Sequence, residues 1–537
     1  MKKAQLILIT LIAILSLLCF ASCNAKMDEA LGDADGMGGM NGAPNSPGDI
    51  YCEPSFKYEP PIEEDVDPDA PTQDKPNENV NKIFENPFVK VETMDTSTFS
   101  ADVDTASYTF LRKMINSGYS FKELKDIARA NVIRTEEMVN YFNYSYASAP
   151  EGEMFGTKAT IARSPWNEDT YLLMLGLKAK ELETRTANNL VFLIDVSGSM
   201  SSADKLPLLK QAFSYLVDQL DENDTVSIVT YAGSERVVLE GATGNKKEII
   251  LAAINDLTSG GSTNGEAGIV KAYEIAEANF KADGNNRIII ASDGDLNVGI
   301  RNPEQLEKLV EDKRKSGVFL SVLGFGSGNF RDDNMSAIAQ TGNGVYHYID
   351  SAAEAERIFA TSLLSTIYTV AKDVKFQLKF DKDYVSEYRL IGYENRLLQN
   401  EDFDDDTKDA GEVGAGHTLT VCYELKLTDA ALNTTDEESG TDNDEQTNWI
   451  KLSIRYKEID AEVSELREID LGEAHLTSDP DEDFVFASTV IEFSMLIRDS
   501  AYNKAGRELR ELIDTIHDLE LDKEKTEFRD LLKKINK

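Results

Sequence analysis

A chain of 537 residues has room for two to four domains and a sizeable buried core. Its formal net charge of −41, from 96 acidic against 55 basic residues, repels phosphate backbones and anionic lipid surfaces, which argues against nucleic acid as a partner. The same field concentrates divalent cations, although most of such an acidic excess serves solubility.

The N-terminus reads as an address. Met1-Lys2-Lys3 is followed by an apolar run over residues 6–18 and then Phe20-Ala21-Ser22-Cys23. That run is short for a bilayer span of about 20 residues and leads into small residues, as in a secretory signal. Small-small-Cys resembles a bacterial lipobox, which implies a signal peptide over 1–23, acylation of Cys23 and a lipid anchor in the cell envelope. Phe20 departs from the aliphatic residue usual there, and a plain cleaved signal or an uncleaved anchor are the alternatives. By the same resemblance, Asn24 in place of Asp favours the outer over the inner membrane. Cys52 and Cys422 are the other cysteines left to the mature chain, and whether they pair in an oxidising compartment is open.

Residues 24–95 are rich in Gly, Pro, Asn and acids, too poor in large apolar groups to offset their ordering entropy, and read as a flexible tether. A small helical block is expected over 96–150, with helices at 105–116 behind Asp104 as N-cap and at 134–142. The run 102–108, beginning Asp102-Val103-Asp104, resembles a small domain that precedes a type A domain in a group of bacterial lipoproteins. Asp102 and Asp104 suggest calcium, but the remaining acids and the Gly of an EF-hand are missing, so helix capping is the expectation. Within 151–187, strands at 158–163 and 171–178 are expected to pair with strands far downstream.

Residues 190–194 are five apolar residues in a row, the signature of a strand buried in a parallel sheet. The strand ends in Asp195-Val196-Ser197-Gly198-Ser199, a carboxylate and two hydroxyls at a strand's carboxyl end, where open α/β sheets keep their ligand sites. Gly260-Gly261-Ser262-Thr263-Asn264 presents another hydroxyl, and a second apolar strand runs into Asp293. Capping of the next helix would account for an isolated Asp-x-Ser-x-Ser. Together the five positions resemble the von Willebrand factor type A domain and its metal-ion-dependent adhesion site. The resemblance implies that Ser197, Ser199 and Thr263 supply hydroxyl oxygens while Asp195 and Asp293 hold the metal directly or through water. It also implies a coordination position left for a partner's carboxylate. Oxygen donors suit Mg²⁺, with Mn²⁺ or Ca²⁺ as substitutes. Asp295 and Asn297 are either supporting groups or ordinary loop residues.

The type A segment, 188–371, alternates: strand 190–195, helix 205–220, strand 225–231, helices 246–256 and 265–280, strand 287–292, helix 303–315, strand 317–324, helix 332–340, strand 345–349 and helix 353–370. This is the pattern of a doubly wound, mainly parallel α/β sheet, Rossmann-like, inserted in or flanked by a β-rich module. The loop 324–328 either lines the ligand rim or simply turns. Over 372–537 the apolar period drops to two at 374–380, 418–425 and 449–456, as in half-buried antiparallel strands. Acidic loops at 401–412 and 435–446 read as solvated rather than calcium-binding. Helices at 484–499 and 507–519 close the chain, and this C-terminal part resembles a domain of unknown function in the same lipoproteins.

No P-loop, His-Glu-x-x-His, Cys-x-x-Cys or Gly-x-Ser-x-Gly occurs, and the four histidines are scattered, so no catalytic constellation is nominated and a non-enzyme is expected. The leading expectation is a membrane-anchored lipoprotein that binds a protein or peptide with an exposed Asp or Glu through its Mg²⁺. The alternative is a structural or assembly component of an envelope complex whose metal only stabilises loops.

Overall fold

The computed structural model describes residues 84–129, 133–182, 184–261, 265–294, 303–326, 332–433, 447–459 and 461–536. Cys23, Cys52 and most of the expected tether lie outside these residues.

Three sheets organise the chain. The first has the strand order Tyr346–Ile349, Phe319–Phe325, Asn285–Ser292, Asn188–Asp195, Thr225–Tyr231, Glu235–Thr243, parallel throughout except for the last, antiparallel strand. Strand Asn188–Asp195 is buried along its whole length, and its alternate side chains enter two different cores. Leu190, Phe192 and Ile194 meet helices Leu206–Asp218 and Lys247–Asn255, with Phe192 stacked on Phe213 at 4.3 Å between ring centres. Val191 and Leu193 face the opposite layer, formed by helices Gly265–Ala278, Pro303–Arg314 and Asp332–Thr341. Burial on both faces explains the continuous apolar run and makes this the doubly wound α/β unit.

The second sheet runs Val89–Lys90, Val385–Ile391, Thr418–Leu427, Tyr171–Ala179, Phe155–Arg163. Tyr171–Ala179 thus pairs antiparallel with Thr418–Leu427, across the whole α/β unit in sequence. In the third sheet, strand Thr369–Phe380 pairs with Asn448–Glu458 on one edge, which pairs in turn with Glu465–Gly472. Its other edge is shared by Gly411–Gly414 and Thr96–Ser100. The second and third sheets pack face to face, with Phe380 stacked on Tyr388 at 4.2 Å and Phe99 against Tyr423 at 6.3 Å between ring centres. Helices Ala106–Asn116, Phe121–Arg129, Thr135–Asn140, Glu482–Ile497, Leu509–Thr515 and Lys523–Ile535 share a core with the outer face of the second sheet, where Leu172, Met174 and Cys422 point.

Several expectations are corrected. Thr96–Ser100, read as the start of a helical block, is a strand; its β-branched and aromatic residues suit the edge it fills. Val89–Lys90 likewise lies in a sheet and not in a tether. The helix expected over 353–370 breaks into Ala352–Glu356, a π turn Arg357–Thr361 and Leu363–Ile367, and Thr369 already begins a strand. The β-branched run Thr366, Ile367, Thr369, Val370 disfavours a long helix there. Strand Glu235–Thr243 was invisible because it is a charged, largely exposed edge. Cys422 is a buried free thiol whose pKa burial pushes up. Asp102 and Asp104 do not cap the helix; Thr105 occupies that position without a side-chain bond. Asp102 Oδ2 instead accepts from Arg396 Nε at 2.8 Å, and Asp104 Oδ1 from the Tyr346 amide at 2.9 Å.

Two buried ionic groups fasten these layers. Arg389 donates from Nη2 to Glu424 Oε2 at 2.7 Å, and Glu424 Oε1 accepts from Thr170 Oγ1 at 2.7 Å, so the pair is satisfied within the second sheet. Arg112 grips Asp350 through Nε (2.8 Å) and Nη2 (2.6 Å), and also reaches Glu354 and Tyr141. Burial alone would raise the Glu354 carboxyl, but the guanidiniums of Arg357 and Arg112 outweigh it and hold it at about 2.

Candidate metal centre

After Asp195 the chain turns through Ser197 into the short 3-10 turn Gly198–Ser201. The Ser197 amide donates to Asp195 Oδ1 at 2.8 Å, and the Ser197 and Ser199 hydroxyls share a hydrogen bond of 2.9 Å. Three of the five expected donors therefore sit on one turn. The loop beyond helix Lys247–Asn255 is fastened to that turn by two backbone bonds. Gly198 N donates to Gly261 O at 3.1 Å, and Gly260 N donates to Val196 O at 2.8 Å. Ser262, Thr263 and Asn264 lie outside the described residues, as do Asp295, Asn297, Ser327 and Gly328; Gly261, two positions before Thr263, is held against the Asp195 turn.

Asp293 follows strand Asn285–Ser292, whose Ala291 is in register with Ile194 on the neighbouring strand. The structure thus brings Asp195, Ser197, Ser199 and Asp293 to one end of the sheet.

Two contributors escaped the sequence reading. Ser292 Oγ donates to Asp195 Oδ2 at 3.2 Å, and Lys205 Nζ donates to Asp293 Oδ2 at 2.7 Å. Lys205 occupies the N-cap of helix Leu206–Asp218, where the helix dipole disfavours a cation. That misplacement was the available signal that a counter-charge stands opposite. Gly326, with φ +80°, leaves space for the Lys205 chain; a Cβ there would collide with it.

Burial, reinforced by the Asp293 charge, pushes the Asp195 carboxyl up to about 6 against the pull of its Ser197 and Ser292 donors. Asp195 and Asp293 are both buried, and Lys205 stands opposite the second. A hard divalent cation fits this donor set of carboxylate and hydroxyl oxygens, which includes no sulfur or imidazole. Among the described residues two other acidic groups lie close enough to share an ion: Asp102, Asp104 and Glu137, and Asp373, Asp409 and Glu412. In the first, each carboxylate already accepts from neighbours, including Arg396, the Tyr346 amide and the Ser107 hydroxyl.

The family model of the von Willebrand factor type A domain matches residues 189–361, one described as von Willebrand factor matches 74–174, and one described as uncharacterized protein YfbK, C-terminal, matches 365–537. The uncharacterized protein YfbK of Escherichia coli is 39% identical over 432 residues, covering 78% of this chain and 74% of that one. Inter-alpha-trypsin inhibitor heavy chain H4 of Sus scrofa is 27% identical over 28% of this chain and 17% of its own length. A solved von Willebrand factor type A protein from Catenulispora acidiphila covers 70% of this chain and 88% of its own at 14% identity and a TM-score of 0.41. Type A domains typically serve protein interaction or adhesion and commonly bind divalent metals. With its α/β unit set between paired β strands and closed by C-terminal helices, the chain belongs to the YfbK family of von Willebrand factor type A proteins.

Proposed function

We propose that this protein is a lipid-anchored envelope protein that binds a protein or peptide partner through a divalent cation, Mg²⁺ in the first instance. Asp195, Ser197, Ser199, Thr263 and Asp293 would hold it. When bound, the cation supplies an electrophilic position that a partner's Asp or Glu can complete with a charge-assisted contact. The chain's own residues set the strength of that contact. Neutral hydroxyls contribute oxygens without cancelling charge, and Lys205 already neutralises part of Asp293. Ser292 and the Ser197 amide orient Asp195.

The observation that carries the reading is the pair of backbone bonds joining the Gly260-Gly261 loop to the Asp195 turn, with Asp293 at the end of the adjacent strand. Cys23 is the proposed acylation site, in the outer membrane, with the segment after it as the tether. Partner binding should vanish in EDTA and in Asp195→Ala. Binding that survives both would mean that the metal is not the contact. The assembly alternative separates by melting: a metal that only braces loops raises Tm strongly with no partner present, yet its removal leaves partner binding intact.

A further inference from the structure

The acidic loop over 401–412 is exposed along much of its length but ends in the buried residues 410–412. It delivers Asp409 and Glu412 to Asp373, so that one carboxylate oxygen from each lies within 4.8 Å of the others. None of these separations exceeds two Ca²⁺–oxygen bonds of roughly 2.4 Å laid end to end. Asp373 reaches the group through backbone irregularity. Its φ is +52°, and the pairing of strand Thr369–Phe380 with Asn448–Glu458 shifts register between Lys372 and Lys375. Such a bulge re-aims a side chain.

In two of the carboxylates both oxygens accept hydrogen bonds. Asp373 Oδ2 accepts from Lys457 Nζ at 2.7 Å and its Oδ1 from the Ala410 amide at 3.2 Å. Asp409 accepts from Arg314 Nη1 at 2.8 and 3.0 Å. Glu412 is different: it is 7% exposed, and neither of its oxygens accepts a hydrogen bond from the described residues. Burial first, then the Asp373 and Asp409 charges, push its carboxyl well above the ordinary range. The Lys372 and Arg314 charges oppose this rise without cancelling it, and the buried Arg287 donates from Nη1 and Nη2 to Ser321 Oγ and Thr369 Oγ1. A buried carboxylate with both oxygens bare is costly and normally paired. Asp409, 41% exposed at its side chain, keeps the group open to solvent on one side.

We propose that Asp373, Asp409 and Glu412 form a second cation site, for Ca²⁺, that clamps the exit of the α/β unit to the β module. Asp373 stands on the first strand after the unit, Glu412 on the short strand beside it, and Arg314, at the end of a helix of the unit, holds Asp409. The choice of Ca²⁺ over Mg²⁺ follows from an all-carboxylate group open to water, which tolerates the irregular coordination Ca²⁺ accepts.

The test is calorimetric titration of Ca²⁺ into the full chain and its variants. Asp195→Asn should retain one Ca²⁺ site, and Asp195→Asn combined with Glu412→Gln should weaken it at least roughly tenfold. Glu412→Gln keeps the shape and removes the buried ionisable group, so without Ca²⁺ its urea midpoint should equal or exceed that of the wild type. Asp409→Asn, on the solvent side, is the second variant and should weaken the same site. Ca²⁺ affinity unchanged by both Glu412→Gln and Asp409→Asn overturns the clamp. Should the wild type show one site lost in Asp195→Asn alone, the clamp fails and the adhesion-type site stands. Should that one site be lost in Glu412→Gln alone, the clamp stands and the adhesion-type site fails.

Discussion

The α/β unit and the β module around it are built by opposite strategies. All six strands of the first sheet come from one continuous stretch, 188–349, and the two central ones, Asn188–Asp195 and Asn285–Ser292, announce themselves as apolar runs. The two sheets of the module draw strands from 89–100, from 155–179 and from beyond 369, so no local stretch of sequence completes either. A site within the first unit is therefore assembled by short loops at neighbouring strand ends. The strands of the module pair only when segments hundreds of residues apart find each other, as Thr96–Ser100 does with Thr369–Phe380.

This contrast can be broken first at the seam. Arg112 joins the N-terminal helix Ala106–Asn116 to Asp350 and Glu354 at the end of the α/β unit. Arg112→Met leaves Glu354 buried with one guanidinium fewer and should lower the unfolding free energy by roughly 3–5 kcal/mol in urea titration. A loss below about 1 kcal/mol, the range of an exposed pair, would show that the seam is not a fastening.

Next come the two cores. Leu193 lies in the α/β unit and Leu175 in the module, both fully enclosed. Each Leu→Ala change should cost about 2–5 kcal/mol. Interleaving predicts that both shift one common transition. The chain's two tryptophans, Trp166 and Trp449, are both buried outside the α/β unit, so their fluorescence reports the module while far-ultraviolet circular dichroism reports the whole. Separated transitions in the two signals would mean that the units unfold independently.

Lys205→Met tests the site from inside. Without metal, Asp293 loses its ammonium partner, and stability should fall by about 1–3 kcal/mol. Mg²⁺ should recover more of it than the wild type gains, because the cation no longer competes with Nζ. Equal Mg²⁺ responses would detach Lys205 from the site.

The smallest effect is in pH. His347 of the α/β unit and His417 of the module line a cavity of about 340 Å³ where they meet, and burial lowers them to about 3 and about 4. The Arg357 charge pushes both in the same direction, while Glu354 opposes it at His347. The unfolded imidazoles take up protons below about pH 6.5 that the folded ones refuse, so stability falls as pH drops from there toward 4. Between pH 6.5 and 5 each histidine should contribute about 1–2 kcal/mol of that fall, read as the difference between wild type and His347→Gln.

Legibility followed the same divide. The burial of 190–194 on both faces, the Asp-x-Ser-x-Ser turn and the strand into Asp293 were readable because period, turn and chemistry coincide within a few residues. Lys205 was passed over, although a cation at a helix N-cap is an anomaly that demands an explanation. Thr96–Ser100 was unreadable as a strand because its partner, Thr369–Phe380, lies beyond the α/β unit. Asp409 and Glu412 looked like solvated acids because only the bulge at Asp373 gives them a third carboxylate.

The most direct measurement of the central claim is Mg²⁺ binding by the full chain beside Thr263→Ala and Asp195→Asn, followed by titration calorimetry. The three-loop arrangement predicts that either change weakens Mg²⁺ by roughly tenfold or more while the fold, read by circular dichroism, stays intact. Undiminished Mg²⁺ affinity in both folded variants would contradict it.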